Sequence, residues 1–308
     1  MNKVVISGAT SMLGIALIEK CIKENVKVLA LVNTGSVRKD RIPKNSLVDI
    51  MECSMNEMNE DNPLLGVDTD YDVFYHFAWA ATSHSGRQNV RAHLENAAYI
   101  IDSVEFAKKL GCKKFVGAGS QAEYGRCNMP LNADTPTRPE VPYGVAKLCA
   151  GQMSRIRCEQ LGMEHVWTRI LSAYGPYDNE NTIIPILLKT ILNGEHFKTT
   201  KGEQIWEFIY ADDVAEAMFL IGEKGVNGKI YPIGTGIAKP LKEFLEIAKN
   251  HVDRTIQLGY GEVPYGEKQV MHLEADLTEL QEDTGFYPKI SFDEGIQRTI
   301  MYYKTRKK

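Results

Sequence analysis

Short apolar runs alternate with longer stretches of helical periodicity through the first half of the chain. Val4-Val5-Ile6 reads as a strand, residues 13–24 as a helix and 26–32 as a second strand. The apolar run at 72–78 is followed by a helix over about 89–110. Residues 114–117 read as a strand, about 143–161 as a helix, and 165–170 as a further strand. Strands that are apolar on both faces need cover on both, which predicts a doubly wound parallel sheet between two helix layers. After about residue 171 the rhythm loosens, with Gly175-Pro176, Gly194, Gly202, Pro232, Gly234, Gly236 and Pro264 separating shorter helices. The expected organisation is a dinucleotide-type α/β domain over 1–170, with a return segment near 205–235. A smaller α/β substrate lobe over 171–308 would close a cleft against it.

Composition narrows this picture chiefly by exclusion. Lys plus Arg number 36 against 40 Asp plus Glu, a net charge of −4, so the basic excess of a nucleic-acid binder is missing. Hydrophobic residues at 44% and charged residues at 25% exclude a disordered chain. No stretch approaches the ~18 apolar residues of a membrane span. The first residues turn straight into a strand, which is unlike a signal peptide. The 6 cysteines form no C-x-x-C pair and read as reduced thiols of a cytoplasmic protein. No histidine or cysteine spacing suits a metal, so none is expected.

The turn Ser7-Gly8-Ala9-Thr10-Ser11-Met12-Leu13-Gly14 joins the first strand to the first helix. Such a turn presents backbone N–H groups at a helix N-terminus, where the dipole favours an anion. Gly8 allows the tight turn, Gly14 lets the helix pack closely, and the Ser11 hydroxyl can donate to a pyrophosphate. Gly8, Thr10, Ser11, Met12, Leu13 and Gly14 are therefore candidate cofactor contacts. The second strand ends at Asn33, and no acidic residue stands there to grip a ribose 2′-hydroxyl. Ser36 and Arg38 are instead available to a 2′-phosphate, which favours NADP(H), with NAD(H) as the alternative.

Tyr143-Gly-Val-Ala-Lys147 places a phenol and an ammonium one helical turn apart on a shared face. A lysine beside the phenol would lower its pKa from ~10 towards the working pH. Ser120, in Gly117-Ala-Gly-Ser-Gln-Ala-Glu-Tyr-Gly125, ends a strand at the edge where such sheets bind ligand. It could hydrogen-bond the substrate oxygen that Tyr143 protonates. Ser120, Tyr143 and Lys147 are the candidate catalytic trio, the last two also touching cofactor.

Glycine turn, serine and Tyr-x-x-x-Lys in this order resemble the extended short-chain dehydrogenase/reductases of the NAD-dependent epimerase/dehydratase family, which act on nucleotide-activated sugars. Further matches are Tyr75-His-Phe-Ala-Trp-Ala80, Asn96, Arg169-Ile-Leu-Ser-Ala-Tyr-Gly-Pro176, Phe208-Ile-Tyr-Ala-Asp-Asp-Val214 and Thr284-Gly-Phe-Tyr-Pro288. The resemblance implies a Rossmann-type fold and places Ala78 at the cofactor. It also implies a nucleotide-diphosphate sugar substrate and a homodimer formed through helices 89–110 and 143–161. Three departures stand out. The family's aspartate near adenine is Ser54, a diphosphate-binding arginine is Trp206, and a second is missing from 264–270, where Lys268 is the available cation. Trp79, His84, Gln121, Glu123, Ser172, Tyr177, Trp206 and Lys268 are the candidate substrate contacts, with Glu123 read as a support before a sugar contact.

The resemblance also separates reactions. Dehydratases of the family follow the catalytic serine or threonine with Asp-Glu, and here Gln121-Ala122 cannot transfer protons. The family's 3,5-epimerase/reductases carry a cysteine two residues after the serine and a histidine after Gly-Pro, where this chain has Ala122 and Tyr177. Reduction of a 4-keto-6-deoxysugar nucleotide and 4-epimerisation remain, the former preferred because the serine segment is similar to that of deoxysugar 4-ketoreductases. A non-catalytic NADP(H) sensor with this fold is a third reading. His76 reads as a satisfied core or near-cofactor histidine, not a base, and Asp212 and Asp213 as caps of the following helix.

Overall fold

The structure, a computed structural model, describes residues 1–58, 69–83 and 85–306. Its first half is the expected alternation with one added strand, β3: β1 (Lys3–Ser7), α1 (Met12–Lys23), β2 (Lys27–Val32), β3 (Val48–Glu52), β4 (Val73–His76), α2 (Val90–Lys109), β5 (Lys114–Ser120), α3 (Pro142–Gln160) and β6 (Glu164–Ile170). The second half contains β7 (Ala173–Tyr174), α4 (Ile183–Leu192), β8 (Lys198–Thr199), β9 (Ile205–Trp206), β10 (Ile209–Tyr210) and α5 (Ala211–Lys224). It continues with β11 (Ile230–Ile233), β12 (Lys239–Pro240), α6 (Leu241–Val252), β13 (Gly259–Tyr260), α7 (Thr278–Thr284) and α8 (Phe292–Arg306).

Seven strands form one sheet in the order β11-β6-β5-β4-β1-β2-β3, each pair parallel. The order reverses between β1 and β4, which opens a crevice over the carboxyl ends of those strands. Val4, Ile6, Val28 and Ala30 face α1 and α5 in one core, while Val5, Leu29, Phe74 and Phe115 face α2 and α3 in the other. The apolar strands of the sequence are thus apolar because each side chain row meets a helix layer. β3 escapes a reading by apolar runs: Val-Asp-Ile-Met-Glu is an edge strand with no fully buried residue. α5 and β11 return to the sheet after the chain has entered the small lobe, and β11 pairs β6 through Ile230 opposite Trp167.

The small lobe has its own core, in which Leu187, Leu188 and Ile191 of α4 meet Phe244 and Leu245 of α6 and Ile296 and Ile300 of α8. Its entry differs from the expected capping. Tyr210, not an aspartate, precedes α5, and no side chain caps it. Asp213 instead accepts the N–H groups of Lys289 (3.0 Å) and Ile290 (2.9 Å), while Asp212 meets Arg298 at 3.2 Å. Both acids remain in the first turn, where the helix dipole favours them, but they tie down the C-terminal segment. Among the described residues no helix is long and apolar enough to cross a membrane.

Candidate active site

A cleft of about 1480 Å³ runs over the carboxyl ends of the central strands and under the small lobe. Its sheet-side end is made by the glycine turn. Gly8 has φ +67°, and a Cβ there would lie 2.7 Å from the Ala78 nitrogen, so only glycine lets the two strand ends approach. Ser11 caps α1 by accepting the Gly14 N–H at 3.1 Å, which leaves its hydroxyl proton free to donate into the cleft. Met12 and Leu13 line the same space. Thr10 offers its carbonyl to Arg41 Nη1 at 3.5 Å.

Beyond the turn the cleft wall includes Arg38 and Arg41, but not Asn33, Ser36 or Ser54. Ser36 accepts the Arg38 N–H at 3.2 Å and so shapes the loop that carries the guanidinium. Ser54 accepts the Thr34 N–H at 3.1 Å and forms a capping box with Glu57. It braces the end of β2 against β3. Glu52, at the end of β3, accepts from the Gly35 N–H and from Lys39 of this loop.

Ser120, Tyr143 and Lys147 converge on the middle of the cleft. Ser120 ends β5, and Tyr143 and Lys147 lie on the first turns of α3, where Pro142 starts the helix. The Ser120 side chain faces the Tyr143 phenol and opposes the rise of its pKa. Lys147 is buried, donates to the Ala118 carbonyl at 2.6 Å and stands 3.8 Å over the Trp79 ring. Burial lowers its pKa to about 7, opposed by Glu123.

The phenol departs from expectation. Burial raises the Tyr143 pKa, Arg87 and the Ser120 side chain oppose the rise, and the Glu123 charge adds to it; Lys147 is not among the influences. Arg87 stands 5.1 Å from the Tyr143 ring centre, and its Nε has no hydrogen-bond partner among the described residues. The lysine is held by the Ala118 carbonyl and the indole face, so Arg87 is the cation that acts on the phenol in this structure. Trp79 also donates to His93 Nδ1 at 3.2 Å, and Asn96 clasps the Ala80 backbone with both amide atoms (2.9 and 3.1 Å). His76 is buried and meets Ser7 Oγ at 3.0 Å; burial takes its pKa down to about 3, so it is neutral.

On the lobe side Gln121, Ser172, Tyr177, Trp206 and Lys268 line the cleft. Trp206 donates to Ser172 Oγ at 2.8 Å, which holds the indole where an arginine was missed. Tyr177, with φ +67°, lies under the Arg41 guanidinium (5.1 Å) and meets the Tyr302 ring edge-on (5.0 Å). Glu123 does not contact the cleft: its side chain is 0% exposed and accepts from Arg169, Trp167 and the Ser120 N–H. A sugar contact is therefore corrected to an internal support. His84 lies outside the described residues.

Arg41, Arg87, Asp178 and Lys189 also line the cleft and were not singled out from the sequence. Arg41 had a signal, lying one short turn beyond Arg38 in the same loop; Arg87 and Lys189 had none, because solvated cations look the same. Asp178 follows the Gly-Pro-Tyr segment, and burial pushes its pKa up to about 7 although Thr182, Asn179 and Arg87 oppose the shift.

The donor set fits a nicotinamide dinucleotide. The free N–H groups at the start of α1 suit its pyrophosphate, Arg38 and Arg41 add positive charge at one end, and Tyr143 and Lys147 present hydroxyl and ammonium at the other. The remaining space beneath Trp206 and Tyr177 is where a second ligand would lie.

Comparison with known proteins agrees with this geometry. The profile of the "NAD dependent epimerase/dehydratase family" matches residues 4–234. A dTDP-4-dehydro-6-deoxyglucose reductase of Escherichia coli is 24% identical over 316 positions, covering 97% of this chain and 96% of the relative. A UDP-N-acetylglucosamine 4-epimerase of Methanobrevibacter ruminantium M1, solved with UDP-N-acetylmuramic acid, superposes with a TM-score of 0.88 at 23% identity over 99% of both chains. A UDP-glucuronic acid 4-epimerase of Bacillus cereus, solved with UDP-glucuronic acid and NAD, gives 0.86 at 18% identity, again over 99% of both chains. The chain belongs to the NAD-dependent epimerase/dehydratase family, an enzyme family of the short-chain dehydrogenase/reductase type.

Proposed function

We propose that the protein reduces the C4 carbonyl of a nucleotide-linked 4-keto-6-deoxysugar with NADPH. The observation that carries the reading is the convergence of Ser120, Tyr143 and Lys147 on one cleft beside Gln121 and Ala122. That set can pass one proton to an oxygen, but the two residues after the serine carry no carboxyl to drive elimination of water, and Glu123 is buried away from the cleft. When bound, the reduced cofactor supplies hydride. Tyr143 gives its proton to the C4 oxygen, and Ser120 donates a hydrogen bond to the same oxygen as negative charge grows there. Arg87 favours the phenolate that is left, and Lys147 holds the ribose side with its ammonium fixed by Ala118 and Trp79. The start of α1 binds the cofactor's pyrophosphate. Lys268, Lys189 and Arg87 supply cations for the substrate's diphosphate, in a cleft where Trp206 stands in place of arginine.

The NADP preference is supported by Asn33 at the end of β2 and by the Arg38 and Arg41 guanidinium groups on the cleft wall. Arg38→Ala is expected to weaken NADPH binding about tenfold, the worth of a charge-assisted contact, and to leave NADH binding within about twofold. Equal losses for both cofactors would reject the assignment. A homodimer is supported by the apolar side chains that α2 and α3 expose, Val90, Leu94, Val145, Met153 and Ile156. Leu94→Asp with Met153→Asp is expected to halve the particle mass by light scattering, and an unchanged mass would place the subunit contact elsewhere.

The reaction is tested by incubating the protein with NADPH and dTDP- or CDP-linked 4-keto-6-deoxysugars. Loss of the nicotinamide absorbance together with a new C4 alcohol is the expected result. A 4-epimerase is the second reading, favoured by the full-length superposition on the epimerase of Methanobrevibacter ruminantium. Interconversion of C4 epimers with no net use of cofactor would establish it and remove the reductase.

A further inference from the structure

The sequence segment Gly119-Ser-Gln-Ala-Glu123 folds as a single tight turn at the end of β5. Ser120 Oγ accepts the Ala122 N–H at 3.2 Å and also the Glu123 N–H, as the serine half of a capping box. A hydroxyl has two lone pairs and one proton, so a serine that accepts twice has its proton as its remaining polar contact. That proton is the one available to the Tyr143 oxygen and to a substrate oxygen placed between the two residues.

The other half of the box is Glu123, whose Oε1 accepts the Ser120 N–H at 2.8 Å. This carboxylate is not a surface cap. It is wholly buried, pinned by Arg169 Nε at 2.9 Å and by Trp167 Nε1 at 3.1 and 3.2 Å to its two oxygens. Arg169 is in turn seated 4.4 Å from the Tyr124 ring centre. A Cβ on Gly119 would lie 2.4 Å from Glu123 Oε1, so the glycine makes room for the carboxylate. A turn at the end of a strand could be capped by solvent or by a short polar side chain. Here a buried ion pair, which costs desolvation of both charges, is spent on one backbone N–H next to the reacting serine.

We propose that Glu123 is a positioning residue for Ser120: its carboxylate locks the turn in which the serine hydroxyl can only donate, and so aims that proton at the Tyr143 oxygen and the substrate oxygen. The substrate half of this statement rests on the reaction proposed above; the Tyr143 half does not. Arg169 and Trp167 act one step further back by fixing both oxygens of the carboxylate. Glutamine at 123 would still accept from Ser120, whereas aspartate would keep the charge near Arg169 but fall short of the serine N–H.

The test uses the full chain carrying tyrosine labelled with ¹³C at Cζ, with the Tyr143 signal assigned by Tyr143→Phe. Ser120→Ala and Glu123→Asp are each expected to raise the pH at which Tyr143 ionises by about one unit, the scale of one lost hydrogen bond to a charged oxygen. Adding Ser120→Ala to Glu123→Asp should give no further shift, because both act through the same proton. Glu123→Gln keeps an acceptor for the Ser120 N–H but removes a charge that itself raises the Tyr143 pKa, so Tyr143 should titrate no higher than in the wild type. The pair Glu123→Met/Arg169→Met removes both charges together and serves where the aspartate variant does not fold. In turnover, Glu123→Asp should lower kcat at least about tenfold with KM within about threefold. A folded Glu123→Asp variant whose Tyr143 titrates as wild type would overturn the proposal, as would a Ser120→Ala shift that stays undiminished in the Glu123→Asp or the paired background. If the wild type turns over no nucleotide sugar, only the reaction falls; the titration still decides the role of Glu123.

Discussion

Along the sheet wall of the cleft, polar groups hang from strand ends and helix turns with fixed partners: Ser7 on His76, Ser120 in its capping box, Lys147 on the Ala118 carbonyl. Along the lobe wall they sit on loops and two-residue strands. Tyr177 lies between the edge of one ring and a guanidinium, Trp206 is held by one bond to Ser172, and Lys268 is exposed. Proton transfer is lost with displacements of about 1 Å, so its groups belong on the rigid wall. Recognition of a ligand tolerates more movement and can be carried on loops that vary. The contrast predicts that changes on the sheet wall act on rate, and changes on the lobe wall on binding and its pH dependence.

The largest effect should come from the sheet wall. Tyr143→Phe removes the proposed proton donor to the C4 oxygen, and kcat is expected to fall at least about 100-fold. Cofactor affinity, measured by fluorescence titration, should stay within about threefold because the α1 N-terminus and the arginines are untouched. Near-normal turnover would end the division of labour between the walls, since the phenol would then be no more than a lining residue.

A second test probes how firmly the lobe wall is anchored. Glu207 lies beside Trp206, is 0% exposed and accepts from the Gly236 N–H at 2.8 Å and the Thr235 hydroxyl at 3.3 Å. Burial pushes its pKa up to about 7, against its ordinary 4.5. A carboxyl raised in the fold contributes stability that is present below about pH 4.5 and lost as pH rises to about 7. Glu207→Gln should therefore gain on the wild type across that window, by up to about 3 kcal/mol at neutral pH in denaturant titrations. A stability difference that does not change between pH 4.5 and 7.5 would mean that the carboxyl ionises freely and the wall is looser than drawn.

The same contrast explains what was legible in the sequence. The sheet wall is written in short local motifs: a turn between strand and helix needs Gly8, and a helix face brings Tyr143 and Lys147 together. Their periodicity survives without tertiary information. β3 was not legible because an edge strand has no buried run to mark it, and the partners of Ser54 and Glu123 were not legible because they lie elsewhere in the fold. Thr34 lies across from Ser54, and Arg169 arrives from β6. Arg87 shows the limit most clearly. A loop cation carries no periodic signal, and only the fold sets it against the Tyr143 ring, where Lys147 was expected to act.

The smallest predicted effect sits where the two walls face each other. Asp178 lines the cleft from the lobe side and accepts from Thr182 Oγ1 at 2.8 Å and the Asn179 N–H at 2.6 Å. Burial holds its pKa near 7, so it is mostly neutral below that pH and becomes an anion above it. A new negative charge there opposes an anionic substrate and partly offsets Arg87. KM for a nucleotide-diphosphate sugar should rise about three- to tenfold between pH 6 and 8, while kcat follows the separate titration on the sheet wall. Asp178→Asn should flatten the KM profile and leave the kcat profile in place. If the variant instead moves the kcat profile and spares KM, the carboxyl is coupled to Tyr143 through Arg87, and the two walls act on the proton together.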